Sequence, residues 1–137
     1  MNNLVLDHIG VQVRDLAAAT RAFELLFGYR AVTEPVINTR QGIRGVFLEK
    51  PGSLPIKLIC PLPDSGQPQR LGAHHLAFMT SDIDAAVADL RTKGARVLSD
   101  PQPGEMFDDN PIAFLFAAGT NFELVTTRDW RSRITGA

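Results

Sequence analysis

The stretch "GAHHLAFMTSDIDAA", residues 72–86, decides how this chain is read, because it has a counterpart earlier in the sequence. Placed under "LDHIGVQVRDLAAATRAF", which begins at Leu6, it aligns His75 with His8 at a displacement of 67 residues. Asp82 then falls on Asp15, Ile83 on Leu16, Ala86 on Ala19 and Leu90 on Phe23. Further on, "PIKLI" falls on "NFELV", which pairs Lys57 with Glu123. A displacement of about half the chain predicts two diverged copies of one unit.

Each copy has the same local grammar. "LVLDHIGVQV" alternates and is rich in β-branched residues, the pattern of a strand. Asp15, and Asp82 or Ser81 in the second copy, can cap the helix that follows. "LAAATRAFELLFG" and "IDAAVADLRTKG" have helical periodicity and end at Gly28 and Gly94. Three strands follow in each: "RAVTEPVI", "RGVFLEK" and "PIKLICP", then "ARVLSD", "IAFLFAA" and "NFELVTT". The expected unit is βαβββ, used twice in an α+β fold. Module 1 covers about residues 1–61 and module 2 about 72–126. The polar, proline-bearing segment 62–71 links them, and a basic tail, 127–137, carries Trp130.

The bulk composition narrows the function. The chain has 137 residues, enough for one domain with a real core. Its 14 Lys and Arg nearly balance 15 Asp and Glu, which argues against a general nucleic-acid or membrane-surface binder. Cys60 is the single cysteine, so neither an intrachain disulfide nor a thiolate zinc cluster is expected. No run approaches the roughly 18 apolar residues of a membrane span. The start lacks a basic segment followed by an apolar one, so a cytoplasmic protein is expected.

Side-chain alternation then selects a face. Ile9, Val11 and Val13 form an apolar row for the helix to cover, so His8, Gly10 and Gln12 face the other way. His75, Ala77 and Met79 lie on that open face too, with His74 expected on the helix side. Lys57 and Glu123 oppose the apolar faces of their own strands; Cys60, on the face of Ile56 and Leu58, belongs to the core. The repeat thus nominates four equivalent positions: His8, Lys57, His75 and Glu123. Two imidazoles and a carboxylate would suit a divalent metal such as Zn, Co, Ni or Mn. A lysine ammonium has no lone pair to offer and repels a dication. Lys57 would instead hold a substrate carboxylate or enolate, leaving Glu123 as a general base. A structural Lys57–Glu123 ion pair is the plainer alternative.

"LDHIGVQVRDL", "GAHHLAFMTSDIDAAVADLRTKGARV" and "NFELV" resemble the vicinal oxygen chelate superfamily, also called glyoxalase/bleomycin resistance/dioxygenase. The nearest branch is that of the methylmalonyl-CoA epimerase-like proteins. The resemblance implies paired βαβββ modules forming an open eight-stranded, barrel-like cleft with one helix per module outside, and dimers. It implies a divalent metal held by His8, His75, Glu123 and a Glu or Gln at position 57, where this chain has lysine. It also implies an acid before "QGI", where this chain has Arg40. The expected function is an isomerase, epimerase or lyase that moves a proton next to a carbonyl of a small acid or acyl thioester. The alternative is a metal-free protein that binds or sequesters a small molecule. An anionic ligand is expected, with Lys57, Arg40, Gln12 and Met79 as contacts. Asp108 and Asp109, in "GEMFDDNPIAF", are expected in a solvated turn.

Overall fold

The computed structural model describes residues 3–66 and 70–126; the tail with Trp130 lies outside the described residues, as does part of the linker. Module 1 contains β1 (Val5–Gln12), α1 (Leu16–Phe27), β2 (Arg30–Ala31), β3 (Val36–Asn38), β4 (Ile43–Glu49) and β5 (Ile56–Pro61). Module 2 contains β6 (Gly72–Thr80), α2 (Ile83–Thr92), β7 (Arg96–Pro103), a 3₁₀ turn (Glu105–Phe107), β8 (Pro111–Ala117) and β9 (Thr120–Thr126). The strand expected over 30–37 is two short strands, β2 and β3. Pro35, which has no N–H to give a ladder, stands just before β3. The described sheet has the expected eight strands along its path, with β3 as a ninth short strand beside β4.

The sheet runs β2-β4-β5-β1-β6-β9-β8-β7, with β3 also on β4. Each half has the same internal order. In each, the first and last strands pair parallel, β1 with β5 and β6 with β9, and the two first strands join antiparallel. A parallel pair needs a crossover connection, which α1 and α2 begin. Asp15 caps α1 by accepting from the Ala18 N–H at 3.0 Å, and Asp82 caps α2 from Ala85 at 3.1 Å. Gly28 closes α1 at φ +73°, where a side chain would be strained.

Three apolar clusters follow. Leu16, Val46, Leu48 and Leu58 lie under α1, with Cys60 packed at their edge. Ile83, Val87, Ala113, Leu115 and Leu124 lie under α2. The third cluster, Phe47, Met106, Phe107, Ile112 and Val125, takes residues from both modules. No described helix is long and apolar enough to cross a membrane.

Candidate functional site

The repeat-related positions meet where β1 joins β6. Gly10 pairs with Lys57 on one side and His75 on the other; Ala77 pairs with His8 and Glu123. Gly10 and Ala77 are themselves 67 residues apart. Two small residues thus form the floor, and four functional side chains flank it. His8, Lys57 and Glu123 are wholly buried, and His75 is 5% exposed. His8 Nε2 lies 3.4 Å from Glu123 Oε1, and His75 Nε2 lies 3.6 Å from the same oxygen. Lys57 Nζ sits over the Phe107 ring at 5.1 Å and the Phe47 ring at 5.7 Å, and Phe107 stacks 6.0 Å from His8.

The two histidines are held by devices that alternation alone does not reveal. Along β1 and β6 the register slips twice, leaving one extra residue on β1 at Asp7 and one on β6 at His74. Such bulges re-aim a side chain. Both fall at repeat-equivalent positions, and both bring the preceding side chain onto the histidine that follows. Asp7 Oδ2 lies 2.6 Å from His8 Nδ1, and His74 Nδ1 lies 2.8 Å from His75 Nδ1. His74 is therefore not on the helix side, as alternation predicts. It is exposed, lines the cleft and touches His75. Asp7 is buried and carries a role that the strand pattern did not suggest.

Charge in the centre follows from burial and neighbours. Burial works to raise the Glu123 carboxyl, but the Lys57 ammonium, then His8 and His75, outweigh it and hold it down at about 2. Burial pushes the His75 imidazole well below its usual value; Glu123 opposes this and the Lys57 charge adds to it. His75 is thus neutral near pH 7, while Glu123 is an anion whose charge Lys57 compensates.

A cavity of about 430 Å³ opens beside the centre, lined by Gln12, Ile59, Ala73, His74 and Asn121 among others. Gln12 lies two residues past Gly10, Ile59 two past Lys57, Ala73 two before His75 and Asn121 two before Glu123. Two residues along a regular strand return to the same face, so Gln12, Ile59 and Asn121 continue the face of the centre, while the bulge at His74 lets Ala73 and His74 both reach the cavity. Among the described residues that line it, Arg70 is the cation and none is acidic. Gln12 is thus at the cavity wall. Arg40 lies on the rim of a smaller adjoining space of about 260 Å³ that shares Gln41 and Phe114, and its Nη1 donates to the Pro103 carbonyl at 2.9 Å. Met79 is half-buried against the Phe47–Phe107 cluster.

The loop that begins at Gly104 reaches both the interior and module 1. Asp108 and Asp109 are exposed at left-handed φ of +54° and +61°. The preceding residues Met106 and Phe107 are inserted into the interior at 1% exposure. Glu105 reaches across to module 1: its carboxylate accepts from the Thr39 N–H at 3.0 Å, the Thr39 hydroxyl at 2.6 Å and the Arg40 N–H at 3.2 Å. These bonds, chiefly from Thr39, hold its carboxyl below the usual range. Glu105→Ala is expected to raise amide exchange of residues 39–41 about 10- to 100-fold, since each bond to a charged group contributes roughly 1.5–3 kcal/mol at best and less when exposed. Unchanged exchange would mean that the loop holds itself.

His8, His75 and Glu123 each offer a ligand atom, and these lie within 4.8 Å of one another, a set that could hold a metal ion. The separations near 3.5 Å suit it, because ligands about 2.1 Å from a tetrahedral ion stand roughly 3.4 Å apart. The charge does not suit it. A dication held there would be repelled by the buried Lys57 ammonium, which already offsets the Glu123 charge.

Residues 7–114 match the Glyoxalase/Bleomycin resistance protein/Dioxygenase superfamily. An ethylmalonyl-CoA/methylmalonyl-CoA epimerase of Cereibacter sphaeroides is 31% identical over 127 residues, covering 88% of this chain and 93% of that protein. The crystal structure of methylmalonyl-CoA epimerase from Mycobacterium tuberculosis superposes with a TM-score of 0.79 at 32% identity, covering 90% of this chain and 88% of that one. A methylmalonyl-CoA epimerase in complex with methylmalonyl-CoA and NH4+ superposes at 0.70 with 31% identity, covering 90% and 94%. With two βαβββ halves and paired histidines on their first strands, this chain belongs to the glyoxalase/bleomycin resistance protein/dioxygenase superfamily.

Proposed function

We propose that this protein catalyses epimerase-type proton transfer at the carbon next to the carbonyl of an acyl thioester of a small acid. The observation that carries this reading is the buried centre of two imidazoles, a carboxylate and an ammonium beside a cavity with no acidic lining residue among the described residues. The likeness to the methylmalonyl-CoA and ethylmalonyl-CoA epimerases supports the substrate class.

Each residue has a task that its surroundings suit. When the carbon gives up its proton, the C–H electron pair moves into the acyl group and negative charge develops on the carbonyl oxygen. Lys57 is the group able to stabilise that oxygen, in a site where burial strengthens the attraction. Glu123, with its carboxyl held at about 2, is a weak base while Lys57 faces it. When the substrate carbonyl oxygen draws the Lys57 ammonium to itself, burial is left to raise the carboxyl. Glu123 then becomes basic enough to take the proton at the moment it is needed. His75, neutral and 3.6 Å from Glu123, shares the proton with the Glu123 carboxyl until the planar enolate takes it back. Gln12 and Arg40 line the route by which the anionic ligand enters.

The test is solvent deuterium exchange into methylmalonyl-CoA and related acyl-CoA thioesters, read by mass spectrometry. One deuterium should enter at the carbon between the carbonyl groups, and Glu123→Gln should slow this at least 100-fold. The second reading, binding without chemistry, draws on the presence of lysine where the resemblance implies a metal ligand. Tight binding of these thioesters with no exchange would select it over catalysis.

A further inference from the structure

We propose that the ammonium of Lys57 is the resident cation of this centre and that no divalent metal ion enters it. The centre is shaped for a cation. His8 Nε2, His75 Nε2 and both oxygens of Glu123 are buried without a hydrogen bond of good geometry, and the two nitrogens and Oε1 converge. The fourth strand to reach this point, β5, delivers Lys57 at the repeat equivalent of Glu123, wholly buried. Two aromatic faces, Phe47 and Phe107, flank its Nζ. A buried ammonium gains from ring faces as well as from an anion.

Charge balance decides between the two cations. Glu123 carries one negative charge, and Lys57 answers it with one positive charge. A dication added to that pair would leave a buried surplus, and burying uncompensated charge is among the costliest events in a protein interior. A further carboxylate, Asp7, is engaged with His8 Nδ1 at 2.6 Å, the backing a metal-ligating histidine usually has, so it is the charge balance and His75 that weigh against a metal. On the cleft side, His75 is backed by a second imidazole, His74, and not by a carboxylate. Metal-ligating histidines are usually backed by carboxylates or carbonyls, which raise ligand basicity. One relative's complex includes an ammonium ion together with methylmalonyl-CoA.

This inference concerns which cation is present and stands apart from the proposed reaction. The probe is Co²⁺, followed by its visible spectrum and by calorimetry on the purified protein after chelator treatment. The wild type should bind no stoichiometric Co²⁺ at millimolar protein-free excess. Lys57→Gln should bind one equivalent at least 100-fold more tightly, with a tetrahedral-type spectrum that His75→Ala abolishes in the double variant. Lys57→Glu serves as a second test, since it restores a ligand of the type found at position 123. A full equivalent bound by the wild type, lost in His75→Ala, would overturn the assignment. So would two folded Lys57 variants that gain no Co²⁺. If neither variant folds, the wild-type titration decides alone. Deuterium exchange that survives chelation agrees with the ammonium. Failure of exchange with no metal bound would count against the proposed reaction and leave the cation assignment intact.

Discussion

Lys57→Met is expected to lower folding stability by about 3–5 kcal/mol at pH 7, the usual cost of removing one partner from a buried pair of charges. Methionine nearly fills the volume of the lysine stem, so the packing between Phe47 and Phe107 survives and the loss is chiefly electrostatic. What remains is Glu123, wholly buried, with the ion that offset its desolvation gone. The pH dependence gives the effect a signature. In the wild type the Glu123 carboxyl is held at about 2 against 4.5 in the unfolded chain. A depressed carboxyl contributes stability that is present above 4.5 and lost as pH falls toward 2; that difference is worth about 3 kcal/mol. In Lys57→Met burial dominates and raises the carboxyl above its unfolded value. Stability should then fall as pH rises through the raised value, the reverse of the wild type. Urea denaturation at pH 4 and pH 7 checks both parts. Adding Glu123→Leu to the variant should recover most of the loss, because it removes the orphaned charge. A loss below 1 kcal/mol in the single variant, with no change of pH slope, would show that Lys57 does not compensate Glu123.

The same centre shows which parts of a site a linear sequence carries. His8, His75, Lys57 and Glu123 were legible because a repeat fixes equivalent positions and a two-residue period assigns faces. Both arguments fail at a bulge. Asp7 and His74 sit where the ladder holds one residue too many, and each turns toward the histidine beside it instead of toward the helix layer. The repeat did contain a hint, since the two bulged residues are also equivalent, but nothing in strand patterning says which residue of a strand is unpaired. The loop from Gly104 was equally opaque. Its acidic tip reads as solvated and is exposed, yet Met106 and Phe107 just before it fill the interior, and Glu105 crosses to the other half. Contacts of that kind depend on how the halves close on each other, which periodicity does not encode.

Gly10→Ala should lower stability and remove most of the activity. Glycine to alanine in a strand commonly stabilises a protein by about 0.4–1 kcal/mol, because alanine has fewer unfolded conformations to lose. Gly10 has no left-handed φ, so its backbone would accept alanine. The obstacle is His75. A Cβ at position 10 would fall 2.1 Å from His75 Cε1, 2.4 Å from Nδ1 and 2.6 Å from Nε2. The imidazole lies flat against the β1 backbone in the space a side chain would take. It has little room to yield, since His74 lies against its Nδ1, His8 meets its ring edge-on at 5.6 Å between centroids, and Glu123 stands beyond Nε2. The ring must leave its place or the β1–β6 pairing must open. Overpacking of this sort costs about 1–3 kcal/mol, so the sign of the usual glycine-to-alanine effect is inverted. Because the displaced group belongs to the centre, exchange into the acyl-CoA substrate should fall by about 100-fold or more, as small misplacements of reacting groups do. Gly45→Ala is the control. Its Cβ would meet the Met106 side-chain end, at 2.8 Å from Cε, and a flexible thioether can move aside. It should therefore retain activity within about tenfold while losing modest stability. Equal activity in the two variants would mean that the position of the His75 ring is not what Gly10 protects.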